Sequence, residues 1–515
     1  MMPAMNKDPS KTLQQLLAEI APVNAEDDCQ VSGLSLNSRA VEPGYVFFAL
    51  AGHREHGFNY AANAIRRGAC AVVWEAETLD DDVVLLEPDA ASRVPLIPVV
   101  NLKQQVGRIS ERFYDEPSKQ LCMIGVTGTN GKTSCSQFLA QALNADEASC
   151  VIGTLGNGFV GNPQDATHTT PDAVTLHGLL AQYRDQNAKN VVMEVSSHGL
   201  SQGRVAGIAF DIAIFTNLSR DHLDYHGDMT AYGEAKKLLF ESPTLKTAIV
   251  NADDDFGRDL ADSLQERMQV IRYGVTHDAA VDVRASKVRL DNAGVHFDVI
   301  TPWGSGIVSS PLLGRFNVSN LLAVLAGLLV KEVRFEDALL RISQLTNVAG
   351  RMERVAHGDE RPLFVVDYAH TPDALAKALQ SLRYHVDRRH QGKLWCVFGC
   401  GGDRDQGKRA AMGNVAEEYA DHLIVTDDNP RTEAPSHIVA QILDGIYKQQ
   451  DVVVNHDRVA AIDYAIEHAG QYDAVLVAGK GHEAYQIVGT EKHDYPGDVD
   501  MIKRLLAQRA DSRSR

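Results

Sequence analysis

Short apolar runs recur along most of the chain, separated by longer stretches of mixed polarity. Leu121-Cys-Met-Ile124, Asn190-Val-Val-Met-Glu-Val195, Ile212-Ala-Ile-Phe215 and Ala248-Ile-Val250 carry almost no polar interruption. That is the pattern of strands buried on both faces. Stretches such as 232–240 between them read as helices. Strands alternating with helices predict a mostly parallel sheet. From about 281 to 307 the pattern alternates as in antiparallel strands, and Phe316–Val330 reads as an apolar helix. A second series follows Gly350: Leu363-Phe-Val-Val366, Leu394-Trp-Cys-Val-Phe398, Leu423-Ile-Val-Thr426, Val452-Val-Val454 and Ala474-Val-Leu-Val-Ala478. It predicts a second doubly wound, Rossmann-like α/β domain. The first hundred residues carry a smaller set, with strands at Tyr45-Val-Phe-Phe-Ala-Leu50 and Ala69-Cys-Ala-Val-Val-Trp74 and a helix over 61–67. The reading is α/β in three domains, 1–103, 104–346 and 347–515, with no internal repeat.

Composition narrows the class. The chain has 515 residues, enough for about three domains of ordinary size. Net charge is −18, which argues against a general nucleic-acid binder. The seven cysteines are too few and too scattered for a disulfide framework or a structural zinc site, so reduced thiols are expected. The N-terminal stretch lacks a signal-peptide apolar core, and no apolar run is long enough for a transmembrane span. A cytoplasmic, monomeric protein acting on small molecules is the expectation.

Chemistry enters at Gly125-Val-Thr-Gly-Thr-Asn-Gly-Lys-Thr133, directly after the first central strand. A strand feeding a glycine-rich turn and a helix is the architecture of a phosphate loop (P-loop). Backbone N–H groups face an anion, aided by the helix N-terminus. Lys132 would reach the terminal phosphates of ATP and Thr133 would hold Mg²⁺. The spacing departs from the usual one, with Val126 where a glycine is common.

Other polar groups follow strands. Glu194 at a strand's carboxyl end suits a Mg²⁺ ligand, or is a solvated strand end. Asp221, His222, Asp224 and His226 crowd one loop, which polar composition alone would also explain. Lys236 and Lys237 read as a surface pair, and Thr169-Thr-Pro-Asp172 as a helix start with Pro171 near the first helical position. Asp427-Asp-Asn-Pro-Arg-Thr-Glu433, Gly479-Lys-Gly-His-Glu483 and Gly401-Gly-Asp-Arg-Asp-Gln-Gly407 each follow a strand of the last domain. They are either three unrelated turns or one composite site for a zwitterion. In such a site Arg431 would grip a carboxylate and Glu483 would accept from an ammonium.

Taken together, Thr127-Gly-Thr-Asn-Gly-Lys-Thr133, Thr169-Thr-Pro171, Glu194-Val-Ser-Ser-His198, Asp221-His222, Ala235-Lys236 with Leu239-Phe240, Gly350-Arg-Met-Glu353 and Asp367-Tyr-Ala-His-Thr-Pro-Asp373 resemble the Mur ligase family. These are the ATP-dependent amino-acid ligases of peptidoglycan synthesis, and the resemblance covers nearly the whole chain. Asp428-Asn-Pro-Arg431 resembles the mark of the diaminopimelate-adding branch, as against the lysine-adding one. The resemblance implies a UDP-substrate domain, a central P-loop ATPase domain and a C-terminal amino-acid domain. It implies that Leu36, Ser38, His53, Arg54 and Glu55 contact uridine diphosphate, and that Thr169, Thr170, Ser196, Gln202 and Arg204 hold the muramoyl dipeptide. Gly128, Thr129, Asn130, Gly131, Lys132, Thr133, Ser134, Asn320, Arg351 and Asp367 would contact ATP. Thr133, Glu194, His222 and Lys236, the last carbamylated by CO₂, would bind Mg²⁺; Lys132, Glu194, His222 and Lys236 would be catalytic. Arg404, Asp428, Asn429, Pro430, Arg431, Gly479 and Glu483 would bind diaminopimelate, with a buried Arg431 rejecting lysine. Asn37 departs from the aspartate common in relatives but keeps an acceptor there. Folylpolyglutamate synthetase, the lysine-adding ligase and a regulatory protein that has lost catalysis are the rival readings.

Overall fold

The computed structural model describes residues 11–52, 55–76, 94–275, 281–291, 294–355, 362–386 and 391–513. His53 and Arg54 lie outside the described residues. The chain forms two compact units. One comprises Met1–Lys132, Leu143–Ala248 and Asp259–Val270; the other comprises Thr133–Ala142, Ile249–Arg258 and Ile271–Arg515. No helix among the described residues is long and apolar enough to cross a membrane.

In the first unit, strands Gly33–Ser35, Tyr45–Ala49, Ala71–Glu75 and Leu96–Val99 form a parallel sheet in sequence order. Leu34, Val46, Phe48, Val73 and Ile97 pack on one face of it with Leu13, Leu16 and Val106. Phe47, Ala49 and Val72 pack on the other with Phe58 and Ala64. Burial on both faces is why these strands read as unbroken apolar runs. The same unit holds six consecutive strands of a larger sheet, in the order Asn162–Gln164, Gly156–Phe159, Ser149–Gly153, Asn190–Glu194, Cys122–Thr127 and Ile212–Phe215. Ser149–Gly153, Asn190–Glu194, Cys122–Thr127 and Ile212–Phe215 are mutually parallel and buried throughout or nearly so. Their carboxyl ends therefore present loops 128–131, 154–155, 195–196 and 216–222 along one edge of the sheet. The strands at 156–164 escape a periodicity reading because glycines and exposed polar residues interrupt them.

In the second unit, Val283–Asp291, Gly294–Thr301 and Gly304–Ser310 form the expected antiparallel hairpins. Phe316–Val330 is a buried helix. A six-stranded sheet follows, in the order Glu353–Arg354, Leu363–Asp367, Ala474–Ala478, Leu394–Phe398, His422–Thr426 and Val452–Asn455. All but the first strand are parallel. Leu375, Leu379, Met412 and Ile442 pack against one face, and Ile462, Ala465, Ile502 and Leu506 against the other. The loops after Asp367, Ala478, Phe398 and Thr426 therefore share one end, where doubly wound sheets bind ligands.

Candidate active site

The phosphate loop joins strand Cys122–Thr127 to helix Lys132–Leu143. Gly128 and Gly131 have φ of +145° and +87°, and a Cβ at Gly128 would run into the Thr216 hydroxyl. Both positions therefore require glycine. The segment after strand Ile212–Phe215 holds the loop. Asn217 Oδ1 accepts from Asn130 N at 3.0 Å while its Nδ2 donates to Asn130 O at 3.0 Å. Thr216 Oγ1 donates to Asn130 O at 2.6 Å, and Thr129 N donates to Asn217 O at 2.7 Å. Lys132 Nζ donates to Gly128 O and Thr129 O at 2.8 and 2.9 Å. Thr133 and Ser134 are buried at the start of the helix.

Lys236 lies on helix Met229–Lys237 and is 1% exposed, with Nζ donating to Gly128 O at 2.8 Å. Its ammonium sits 4.3 Å from the centre of the Tyr232 ring. Burial, reinforced by the nearby Lys132 charge, pushes this amine well below the ordinary lysine range. Lys237, one residue on, faces out toward Glu234 with a side chain 36% exposed. The surface-pair reading is thus wrong for Lys236 and right for Lys237.

Glu194 ends strand Asn190–Glu194 and is 1% exposed, not a solvated strand end. Its carboxylate accepts from Thr154 N at 2.7 Å and Thr154 Oγ1 at 3.2 Å. Thr154 Oγ1 also lies 3.0 Å from Thr169 Oγ1. Thr170 Oγ1 donates to Glu194 O and Ser196 Oγ at 2.9 and 3.1 Å, and Ser196 caps helix Ser197–Ser201. Arg204 Nη1 donates to Thr170 O at 2.7 Å, and Arg204 Nε to Gln202 Oε1 at 2.9 Å. Thr169, Thr170, Ser196, Gln202 and Arg204 are thus one connected network running to Glu194. Thr169–Asp172 leads into a helix as expected, with Pro171 one residue before the cap: Asp172 caps helix Ala173–Asp185 by accepting from Thr175 N at 3.0 Å. His222 is largely exposed, with φ of +53° and Nε2 3.4 Å from Asp221. Its ring stacks edge-on with His198 at 4.9 Å.

In the smaller sheet's domain, Ser38 Oγ accepts from Asn63 Nδ2 at 3.2 Å, Leu36 is half-buried, and Glu55 accepts from Tyr60 OH at 2.5 Å. Asn37 Oδ1 accepts from Arg39 N at 3.0 Å, so the acceptor expected there is in use.

In the second unit, Asp367 accepts from Met352 N at 2.7 Å and Ala369 N at 2.8 Å. Burial raises its carboxyl above the usual range, opposed by the Arg351 charge. Arg351 lies over the Tyr368 ring at 4.9 Å and donates to Thr133 Oγ1 at 3.4 Å. Asn320, buried in helix Phe316–Val330, donates to Asn317 Oδ1 at 2.9 Å.

The three loops of the six-stranded sheet meet. Asn429 Nδ2 donates to Glu483 Oε2 at 2.9 Å, and Asp428 packs against Gly479 (φ +111°), where a Cβ would lie 2.6 Å from Asp428 Oδ2. Burial raises the Asp428 carboxyl, opposed by Lys480. Arg431 Nη1 donates to Gly402 O at 2.8 Å, and Asp403 accepts from Thr432 Oγ1 at 2.8 Å. Arg431 is half-buried rather than buried, on a backbone turn with φ of +52°. Arg404 is exposed; the buried arginine nearby is Arg409 in the following helix Gly407–Tyr419, which grips Glu433 at 2.8 and 2.9 Å. Composite geometry therefore replaces the reading of three unrelated turns.

Three family profiles match in order: "Mur ligase family, catalytic domain" over residues 30–114, "Mur ligase middle domain" over 126–328 and "Mur ligase, glutamate ligase domain" over 350–481. A Coxiella burnetii protein named UDP-N-acetylmuramoyl-L-alanyl-D-glutamate–2,6-diaminopimelate ligase is 47% identical, over 93% of this chain and 96% of its own. A Pseudomonas aeruginosa protein of the same name is 48% identical, over 94% of this chain and 96% of its own. The chain belongs to the Mur ligase family. A solved structure carrying that ligase name aligns with a TM-score of 0.70 at 36% identity, covering 97% of this chain and 99% of that one. A Mycobacterium tuberculosis folylpolyglutamate synthase shares the fold at a TM-score of 0.58 and 18% identity, over 72% of this chain and 90% of its own.

In this Mur ligase the residues that sequence reasoning passed over are supports. Thr154 holds Glu194, Thr216 and Asn217 hold the phosphate loop, and Tyr232 lines Lys236. Thr216 and Asn217 follow strand Ile212–Phe215 directly, and that position was the available signal.

Proposed function

We propose that this chain joins diaminopimelate, as the meso isomer, to the D-glutamyl side-chain carboxylate of UDP-N-acetylmuramoyl-L-alanyl-D-glutamate. The reaction consumes ATP and passes through an acyl phosphate. The observation that carries the amino-acid assignment is the meeting of Asn429, Glu483 and Arg431 after the two parallel strands that flank Leu394–Phe398. A carboxylate and a guanidinium held at one rim suit a zwitterion, and Arg431 offers a fork to the second carboxylate that lysine lacks. Asp428, Pro430, Gly479 and Arg404 complete that site.

A carboxylate is a poor acyl donor because oxide leaves badly. Phosphorylation by ATP creates a leaving group, the amine then attacks the acyl carbon, and phosphate departs. Gly128, Thr129 and Asn130 shape the loop, while the backbone N–H groups of Gly131, Lys132 and Thr133 and the Lys132 ammonium bind and orient the phosphates, with Ser134, Asn320, Arg351 and Asp367 contacting the nucleotide. Leu36, Ser38 and Glu55 hold the uridine end, with His53 and Arg54 in the same role. Thr169, Thr170, Ser196, Gln202 and Arg204 hold the dipeptide.

The donor set fits magnesium. Glu194 and Thr133 are hard oxygen donors, and Mg²⁺ with a nucleotide needs only one or two protein ligands. Among the described residues no three His, Cys, Asp or Glu side chains form a self-contained metal cage, which is compatible with that mode. Bound Mg²⁺ would supply charge neutralisation at the transferring phosphoryl group. Thr133, Glu194 and His222 would hold it together with Lys236 as a carbamate. Support for the carbamate is the burial that favours a neutral Lys236 amine, the form that adds CO₂ with loss of a proton. The enzyme would act as a cytoplasmic monomer on small-molecule substrates, without nucleic acid.

The test is incubation with ATP, the UDP-linked dipeptide carrying ¹⁸O in its D-glutamyl carboxylate, and meso-diaminopimelate. A product heavier by one diaminopimelate residue with ¹⁸O in the released phosphate is expected. A product whose phosphate carries no ¹⁸O rejects the acyl phosphate, and no product rejects the function.

A further inference from the structure

Lys480 has no place in the proposed chemistry, yet it is completely buried in the loop that follows strand Ala474–Ala478. A buried ammonium persists only when its donors and charge are matched. Nζ donates to Tyr485 O at 2.7 Å and Asn429 Oδ1 at 3.0 Å. Two carboxylates face it, Glu483 Oε2 at 3.4 Å and Asp428 Oδ1 at 3.7 Å. The rings of Tyr485 and Tyr495 flank it at 5.6 and 5.9 Å.

We propose that Lys480 is a positioning residue for the incoming amino acid, fixing the Asn429 carboxamide and balancing Asp428 so that Glu483 keeps a net negative charge for a substrate ammonium. The inference rests on the assignment of this loop cluster to amino-acid binding.

Two arguments carry it. The first is donor logic. An ammonium only donates, so the side of Asn429 facing Lys480 must be its oxygen. Ile487 N donates to the same oxygen at 2.9 Å, which saturates it. The carboxamide nitrogen is thereby directed to Glu483 Oε2 at 2.9 Å, leaving its second N–H as the one group Asn429 can offer a ligand. The second argument is charge. Asp428 and Glu483 bring two negative charges and Lys480 one positive. The other buried cation nearby, Arg458, is taken up by Asp498 through two bonds of 2.8 Å. One negative charge remains, matching one ammonium, while the half-buried Arg431, bonded to Asn429 O at 3.4 Å, is the cation beside it for a carboxylate.

The test uses full-length Lys480→Met, Asn429→Ala and the double variant, with KM for each substrate and the melting temperature. The expected result for Lys480→Met is a KM for diaminopimelate raised about tenfold or more, with KM for ATP and for the UDP-linked dipeptide within about twofold of wild type. The double variant is expected to fall clearly short of the product of the two single effects, because part of the action of Lys480 passes through Asn429. Multiplying effects, an unchanged diaminopimelate KM, or equal rises in all three constants overturn the proposal. If Lys480→Met does not fold, Lys480→Arg carries the test. Its larger head displaces the carboxamide and raises only the diaminopimelate KM; an unchanged value refutes the role. Wild-type enzyme inactive with diaminopimelate would instead overturn the assignment of the site.

Discussion

Replacing Arg431 by lysine separates charge from shape at the proposed selectivity site. The main chain of Arg431 is pinned, its N donating to Ile487 O at 3.1 Å and its O accepting from Gly489 N at 2.8 Å. Nη1 is committed to Gly402 O at 2.8 Å and Asn429 O at 3.4 Å. That leaves the Nε–Nη2 edge as the fork for a carboxylate. Two charge-assisted hydrogen bonds are worth about 1.5–3 kcal/mol each, and half exposure places these at the lower end. The sum is about 3 kcal/mol, or roughly 10²-fold in affinity. Lysine keeps the charge but not the fork, and recovers about half. Phosphate release is measured while each substrate is varied in turn. KM for diaminopimelate is expected to rise about tenfold in Arg431→Lys and roughly 10²-fold in Arg431→Ala, with ATP and UDP-substrate constants unmoved. Preference for diaminopimelate over L-lysine should fall by the same factor. Equal loss of all three substrates, or a preserved preference, would refute the reasoning.

Other outcomes follow from single contacts. Asn217→Ala removes both side-chain bonds that hold Asn130, leaving its O to Thr216, and should raise KM for ATP about tenfold while leaving the diaminopimelate KM alone; calorimetry showing unchanged nucleotide affinity would contradict it. Lys236→Ala should abolish turnover and Lys237→Ala should not, and removing CO₂ from wild-type buffer should lower activity reversibly; equal effects of the two substitutions would reject the carbamate. His177 is buried with its imidazole pushed down to about 4 by desolvation. The unfolded chain, with an ordinary histidine, binds more protons between about pH 4 and 6.5, so this contribution is full above that window and is lost as pH falls through it. Urea titrations should show wild type losing up to about 3 kcal/mol more than His177→Asn across that range, and parallel slopes would contradict the burial argument.

The contiguous features were legible in the chain. The phosphate loop, the strands around it and the three loops of the last sheet each occupy one short segment whose chemistry follows from local pattern. What the pattern withheld depends on partners distant in sequence. Lys236 is buried by Gly128, more than a hundred residues away, and nothing local separates it from Lys237. Thr154 matters because Glu194 folds against it, and its neighbouring strands are broken by Gly156, Gly158 and Gly161. Arg431 was placed too deep because its backbone turn, with φ of +52°, is a tertiary outcome. Lys480 was visible only as one residue of a polar loop.

The most direct test of the whole account is the rate of phosphate release from ATP with the UDP-linked dipeptide and either meso-diaminopimelate or L-lysine. Turnover with diaminopimelate and none with lysine is the predicted result. Turnover with lysine at a comparable rate, or none with either, would contradict it.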